Sequence, residues 1–171
     1  LRRYDSIVLE QYETFPKQTL RNRAVIATAS GRMQLVVPVT HRYGNHTKTN
    51  EIGIAYAERW NVQHWRTIES AYNSSPYFLY YKDGIEKILM SPYERLLDLD
   101  VDLLRFLCKK LGIVCTIELS TDYTKKSEEF DDYRGFFPIK KVCEKYELLP
   151  YPQVFEEKNS FIPDLSILDL L

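Results

Sequence analysis

Glycine is scarce in this chain, with 6 in 171 residues. No G-x-x-x-x-G-K-[ST], G-x-G-x-x-G or G-x-S-x-G occurs. The backbone cradles that bind nucleotide phosphates and the turn that exposes a hydrolase serine are therefore unsupported. Cysteine is scarcer, at three: Cys108, Cys115 and Cys143. An odd count without short-range pairing makes a poor disulfide framework. No C-x-x-C or mixed His/Cys cluster has zinc-ligand spacing, so the expectation is no metal and no cofactor. Cys143 lies among Lys140, Lys141 and Lys145, whose charges favour a thiolate, yet no partner base stands near it in sequence. Long apolar runs are missing, as is a leader-like opening, so stable membrane insertion is not expected. A strong charge of either sign is missing too. The formal net charge is −1, so no global field draws the chain to nucleic acid.

Aromatic residues are plentiful: 13 Tyr, 8 Phe and 2 Trp. Tyrosine joins an apolar body to a polar tip and serves cores and polar ligand sites equally well. Hydrophobic residues make up 44% and charged residues 27%, the balance of an ordinary globular chain. At 171 residues the chain suits one domain with a proper core.

Ser6-Ile7-Val8-Leu9-Glu10 reads as a strand. Residues 24–29 and 33–39 read as the arms of a β-hairpin with Ser30-Gly31 at the turn, and Pro38 belongs at a strand end. Residues 41–51 read as a mobile polar surface loop. Trp60, His64, Ile68 and Tyr72 recur every four positions and share a helical face. Ser75-Pro76 fits the start of a second helix, with Asp83-Gly84 a weak point inside it. Ser91-Pro92-Tyr93-Glu94 reads as a capping box for a third, leucine-rich helix that Asp98–Asp100 interrupt and Gly112 ends. Residues 113–119 read as a strand. Residues 120–140 read as a charged solvated loop, 151–155 as a last strand, and 165–171 as the start of a final helix. The fold expectation is α/β, a mixed sheet with a β-hairpin near the N-terminus and helices on both faces. An α+β arrangement is the alternative.

The segment Lys17-Gln18-Thr19-Leu20-Arg21-Asn22-Arg23 stands out. Lys and Arg bind phosphate or carboxylate, and Asn and Gln both donate and accept hydrogen bonds. Such a set suits a sugar nucleotide or a carboxylated substrate. A solvated loop whose arginines pair with surface acids would have the same composition. His64 is the candidate general base, or else a satisfied core histidine. His41 and His46 could ligate a metal, but nothing completes a site. Asn73 and Ser75, in the turn between two helices, could bind sugar hydroxyls or simply close the helix.

Taken in order, several segments resemble one family. Residues 17–23, followed by a hairpin ending Leu35-Val36-Val37-Pro38-Val39, are similar to the N-terminal signature of WbqC-like proteins. The pairs His64-Trp65, Ile68, Ala71-Tyr72 and then Ser75-Pro76-Tyr77-Phe78 are similar to its central signature. Residues 107–113 match its next helix-to-strand step, and residues 161–171 its closing motif. The resemblance implies a single WbqC-like domain over 1–171, of a compact subgroup and truncated at both ends, with an N-terminal strand-and-turn element missing before Leu1. It implies a cytoplasmic protein linked to surface-polysaccharide, O-antigen-like biosynthesis. It further implies an enzyme modifying a nucleotide-linked amino sugar, by acyl or aminoacyl transfer to the sugar nitrogen. On that reading Lys17, Gln18, Arg21, Arg23, Asn73 and Ser75 bind substrate, and His64 and Asn22 act in catalysis. The partners would be a sugar nucleotide, an acyl donor and other polysaccharide-biosynthesis enzymes, with no nucleic acid. The alternative is a non-catalytic binding or scaffolding protein of a polysaccharide assembly system.

Overall fold

A computed structural model describes residues 1–17, 19–125, 131–134 and 149–171. Its elements run β1 (Ser6–Leu9), β2 (Arg23–Thr28), β3 (Gly31–Val36), β4 (Val39–His41), β5 (Ile52–Ile54), α1 (Trp60–Tyr72), α2 (Lys82–Met90), α3 (Leu96–Lys110), β6 (Thr116–Leu119) and α4 (Glu156–Asn159). Helices and strands mix as the sequence indicates, but the strands do not join one sheet. Among the described residues they form three two-stranded pieces: β1 with β6, parallel, and β2 with β3 and β4 with β5, both antiparallel. Pro38 divides the pieces. It has no N–H to continue the β3 ladder, and its carbonyl instead accepts from Ala55 N at 2.9 Å.

The β2–β3 hairpin turns one residue earlier than the pattern suggests, at Ala29-Ser30, with Thr28 opposite Gly31. Gly31 has φ +100°, a conformation that only glycine adopts without strain. Ile26 and Leu35 on the inner face of this hairpin pack against α1 and α2. On α1 the four-residue stripe holds: Trp60, Ile68 and Tyr72 are buried, joined by Trp65 and Ala71. Phe78, Tyr81, Ile85, Leu89 and Leu99 complete this core. Each fully buried Ile or Leu in it contributes about 1.5–3 kcal/mol. A smaller cluster, Phe15, Ile52 and Leu96, lies under the N-terminal loop.

Gly84 does not break α2. A Cβ there would strike the Phe106 ring of α3, so the absent side chain is what lets α3 come close. The capping box at Ser91 does not form. The Ser91 hydroxyl donates to Lys87 O at 2.8 Å and closes α2 instead. Glu94 O accepts from Ile54 N at 3.0 Å, and Arg95 bridges Gly53. These contacts hold the chain extended beside β5, and α3 starts only at Leu96. Asp98–Asp100 do not interrupt it. Asp98 turns outward to a bidentate pair with Arg95, with both bonds at 2.8 Å. Asp102 accepts from Tyr93 Oη at 2.8 Å.

Residues 41–51 are no loose loop. Two 3₁₀ turns, Gly44–His46 and Thr49–Glu51, flank Thr47, which is 1% exposed. Phe15 N donates to Thr47 O at 2.9 Å, Thr49 N to Glu13 O at 3.0 Å, and Asn50 N to Gln11 O at 3.0 Å. The strap is therefore stitched to residues 11–15. The expected strand at 151–155 is also absent, because its polar groups bond elsewhere. The Gln153 amide pairs with both backbone groups of Ile162, at 2.8 Å each. Asp169 accepts from Tyr72 Oη, Tyr151 Oη and Gln153 Nε2, all at 3.0 Å. This clamp, with Asp164 at φ +57°, limits the expected final helix to a 3₁₀ turn at Ile167–Asp169. Cys108 is buried and Cys115 half-buried, both free. Cys143, Gln18 and most of the charged segment 120–140 lie outside the described residues.

Candidate functional site

Between the loop that precedes β2 and the strap that follows β4 lies a cleft of about 330 Å³. Its walls include Lys17, Thr19, Asn22 and Arg23 on one side and Val39, His41 and Asn45 on the other, with Phe15 between them. The geometry follows from strand registers. Arg23 opens β2 opposite Val36. Val37 N donates to Asn22 O at 2.9 Å, and Asn22 Nδ2 returns a bond to Val37 O at 3.0 Å. This double link anchors the loop to the chain just before β4. Val39 and His41 are then two residues apart on β4. Alternation along a strand puts both on one face, the face that lines the cleft.

The chemistry of the lining is one-sided. Among the described residues, Lys17, Arg23 and His41 are its ionisable side chains, and no carboxylate lines it. Arg23 Nε is buried and has no hydrogen-bond partner among the described residues. The Thr19 hydroxyl oxygen is 3.1 Å from Arg21 N, accepting from it, so its own proton remains to be donated. The His41 ring meets Phe15 edge-on, with centroids 5.9 Å apart. Such a surface of donors on an apolar base can hold an anion with several acceptor atoms.

The arginines of the 17–23 segment divide. Arg21 does not line the cleft. It pairs with Glu13 and donates from Nη1 to Thr49 Oγ1 at 2.9 Å, bracing the loop against the strap. The charge of the same guanidinium also acts on Asp100 of α3. That aspartate stands one turn beyond Leu96 on the helix face that packs inward, and burial pushes its carboxyl up to about 8 despite the pull of Arg21. A carboxyl strongly perturbed by burial, within the field of a specific cation, marks a position of interest.

The other expected site residues stand apart from the cleft. His64 packs edge-on against Trp60, with centroids 5.1 Å apart, and donates to the Val36 carbonyl. Burial lowers its pKa. Asn73 is exposed at the end of α1, where its N–H donates to Glu69 O at 2.9 Å. Ser75 N donates to Tyr72 O at 2.8 Å, and its side chain lies beside the Tyr81 hydroxyl. Sequence reasoning weighed His41 only as a metal ligand and Asp100 only as a break in the helix. The alternation Val39–His41 would have revealed the first. The second was legible as the one aspartate of Asp98, Asp100 and Asp102 in phase with Leu96, Leu97, Leu103 and Leu104. Among the described residues no group of three or more His, Cys, Asp and Glu could hold a metal ion. No helix among them is long and apolar enough to cross a membrane.

The sequence model of the WbqC-like protein family matches residues 1–145 of the 171. No curated protein and no solved structure matches the chain. The family match covers well over half the sequence and includes every residue of the cleft, so the chain belongs to the WbqC-like protein family.

Proposed function

Starting from membership of the WbqC-like family, we propose that this protein serves surface-polysaccharide biosynthesis as an enzyme that modifies a nucleotide-linked amino sugar at the cleft between residues 15–23 and 39–45. The observation that carries the reading is the cleft itself. It gathers Lys17, Asn22, Arg23 and His41 in about 330 Å³, with no carboxylate in its walls among the described residues. That volume is at the small end for ligand pockets, suited to one end of a sugar nucleotide, with the rest extending over the rim.

The reaction we propose is acyl or aminoacyl transfer to the sugar nitrogen. The amine nitrogen attacks the carbonyl carbon of an activated acyl donor. A C–N bond forms, the bond to the donor's leaving group breaks, and the amine proton passes to a base. Histidine suits that role near neutral pH. His41 lines the cleft and is the first candidate, and His64, one wall away behind β3, is the second. Asn22 retains a free amide hydrogen after its bond to Val37 and would polarise the carbonyl. Lys17 and Arg23 would hold the charged part of the substrate. Arg21 acts at one remove, as the brace of the loop.

A thermal-shift screen against nucleotide-linked amino sugars and acyl donors tests the reading. A ligand at a hundred times its Kd should stabilise the fold by about 2.7 kcal/mol. Turnover of the stabilising pair should fall at least tenfold in Arg23→Ala. A flat screen, together with capture of a polysaccharide enzyme by the purified chain, would instead establish the scaffolding alternative.

A further inference from the structure

The cleft lining has a feature that a general substrate pocket does not need. Its charged groups are of one sign, and on one of them, the half-buried Arg23, the Nε–H is buried with no partner among the described residues. A guanidinium N–H withdrawn from water and left unbonded is costly, and native structures complete most such groups with water, an ion or a ligand. Arg23 Nε is such a group. Glu13, a carboxylate of the same loop, is taken by Arg21, so nothing from the loop neutralises the cleft. Phe15 and Val39 line it beside the donors and keep its base apolar, which strengthens any electrostatic contact made there.

From these observations we infer that the cleft is a phosphoryl-binding subsite, in which Arg23, Lys17 and His41 converge on one phosphoryl group and Thr19 and Asn45 complete its hydrogen bonds. The donor count decides against a carboxylate. Lys17 offers three N–H groups, Arg23 its Nε and the terminal nitrogens, Thr19 an O–H, and Asn45 and His41 one or more each. A carboxylate has two oxygens and one charge to receive them, whereas a terminal phosphoryl group presents three oxygens and the internal diphosphate of a nucleotide-linked substrate four, each with more charge. The donors come from two segments, residues 17–23 and 41–45. A bound phosphoryl group therefore ties the loop before β2 to the strap after β4. His41 enters the site as a phosphoryl contact that the 17–23 segment alone does not supply.

The inference rests on the reading of this cleft as the substrate site, and it deepens that reading to a ligand class. The probes are inorganic phosphate, inorganic pyrophosphate and uridine diphosphate, with malonate as a carboxylate control, titrated into the intact chain and followed by calorimetry and by NMR of the arginine Nε–H and histidine ring signals. Pyrophosphate or uridine diphosphate should bind and move the Arg23 Nε–H and His41 ring resonances, while malonate at equal concentration moves neither. Inorganic phosphate binding as tightly as uridine diphosphate assigns the site to a terminal phosphate. Preference for the diphosphates assigns it to the internal diphosphate of a nucleotide-linked substrate. Arg23→Gln and His41→Asn should each weaken binding about tenfold or more, with melting temperatures near that of the parent. Arg32→Gln, on the exposed face of β3, should change nothing and controls for net charge. Equal affinity for malonate, or unchanged pyrophosphate affinity in Arg23→Gln, overturns the inference. If an amino-sugar nucleotide is turned over while pyrophosphate fails to compete, the inference falls and the proposed function stands. If pyrophosphate binds as described and no amino-sugar nucleotide is turned over, the proposed function falls and the subsite stands.

Discussion

Replacing Asp100 by asparagine should stabilise this protein, and more strongly as the pH rises. The carboxyl faces inward from α3, and burial lifts it to about 8 in the folded chain. In the unfolded chain an aspartate titrates near 3.9. The sign follows from linkage. An acid whose folded value is raised holds its proton longer in the native state. Its favourable contribution is complete below the unfolded value and is lost as pH climbs through the folded one. At 1.36 kcal/mol per unit, the cost to folding is about 2 kcal/mol at pH 5 and about 5 kcal/mol at pH 8, from the value of about 8. Asp100 is only half-buried, and solvent at its exposed edge reduces that change, so the expected widening is about 2–3 kcal/mol. The measurement is urea unfolding of parent and Asp100→Asn at both pH values. Every other titrating group is common to the two proteins and cancels in the difference. A gap that is the same at pH 5 and pH 8, or narrower at pH 8, would refute the burial argument. A variant destabilised at every pH would show instead that the ionised carboxylate is held by Arg21 in a pair worth more than its desolvation.

Two further perturbations test the packing. Gly84→Ala should cost about 1–3 kcal/mol, because the new methyl group meets the Phe106 ring. Shortening that ring in Gly84→Ala/Phe106→Leu should recover part of the loss in the same denaturation experiment, and a neutral single variant would contradict the close approach of α2 and α3. His64 is held below the ordinary imidazole range by burial. A base with a lowered folded value contributes stability that is full above about pH 6.5 and is lost as pH falls through the folded value. His64→Gln should therefore lose less melting temperature than the parent between pH 7.5 and pH 5, and equal losses would argue that the ring is solvated.

The sequence by itself determined what local chemistry controls. The hairpin came from alternation and a glycine turn, α1 from a four-residue apolar stripe, and the end of α3 from Gly112, whose φ is +63°. The family was legible too, because an ordered set of short segments survives independently of how they pack. The 17–23 segment was visible as a cluster of cations and amides.

Tertiary structure decided how that cluster is used. Arg21 and Arg23 are two residues apart and indistinguishable in composition. Glu13 and Thr49, distant partners brought by the fold, turn one into a brace, while the other faces a cleft with its Nε unsatisfied. His41 gained its place because β4 pairs with β5 across a ten-residue strap, and Asp100 because α3 turns it inward, within reach of the charge of Arg21. Ser91-Pro92-Tyr93-Glu94 satisfies the rules of a capping box, yet β5 offered Glu94 and Arg95 backbone partners and the helix began later. Residues 151–155 had the composition of a strand, and Asp169 and Ile162 claimed their polar groups first. Local propensities amount to a few tenths of a kcal/mol per residue, whereas a satisfied buried hydrogen bond is worth about 1 kcal/mol. Where a long-range partner was on offer, it prevailed, and a sequence does not print its long-range partners.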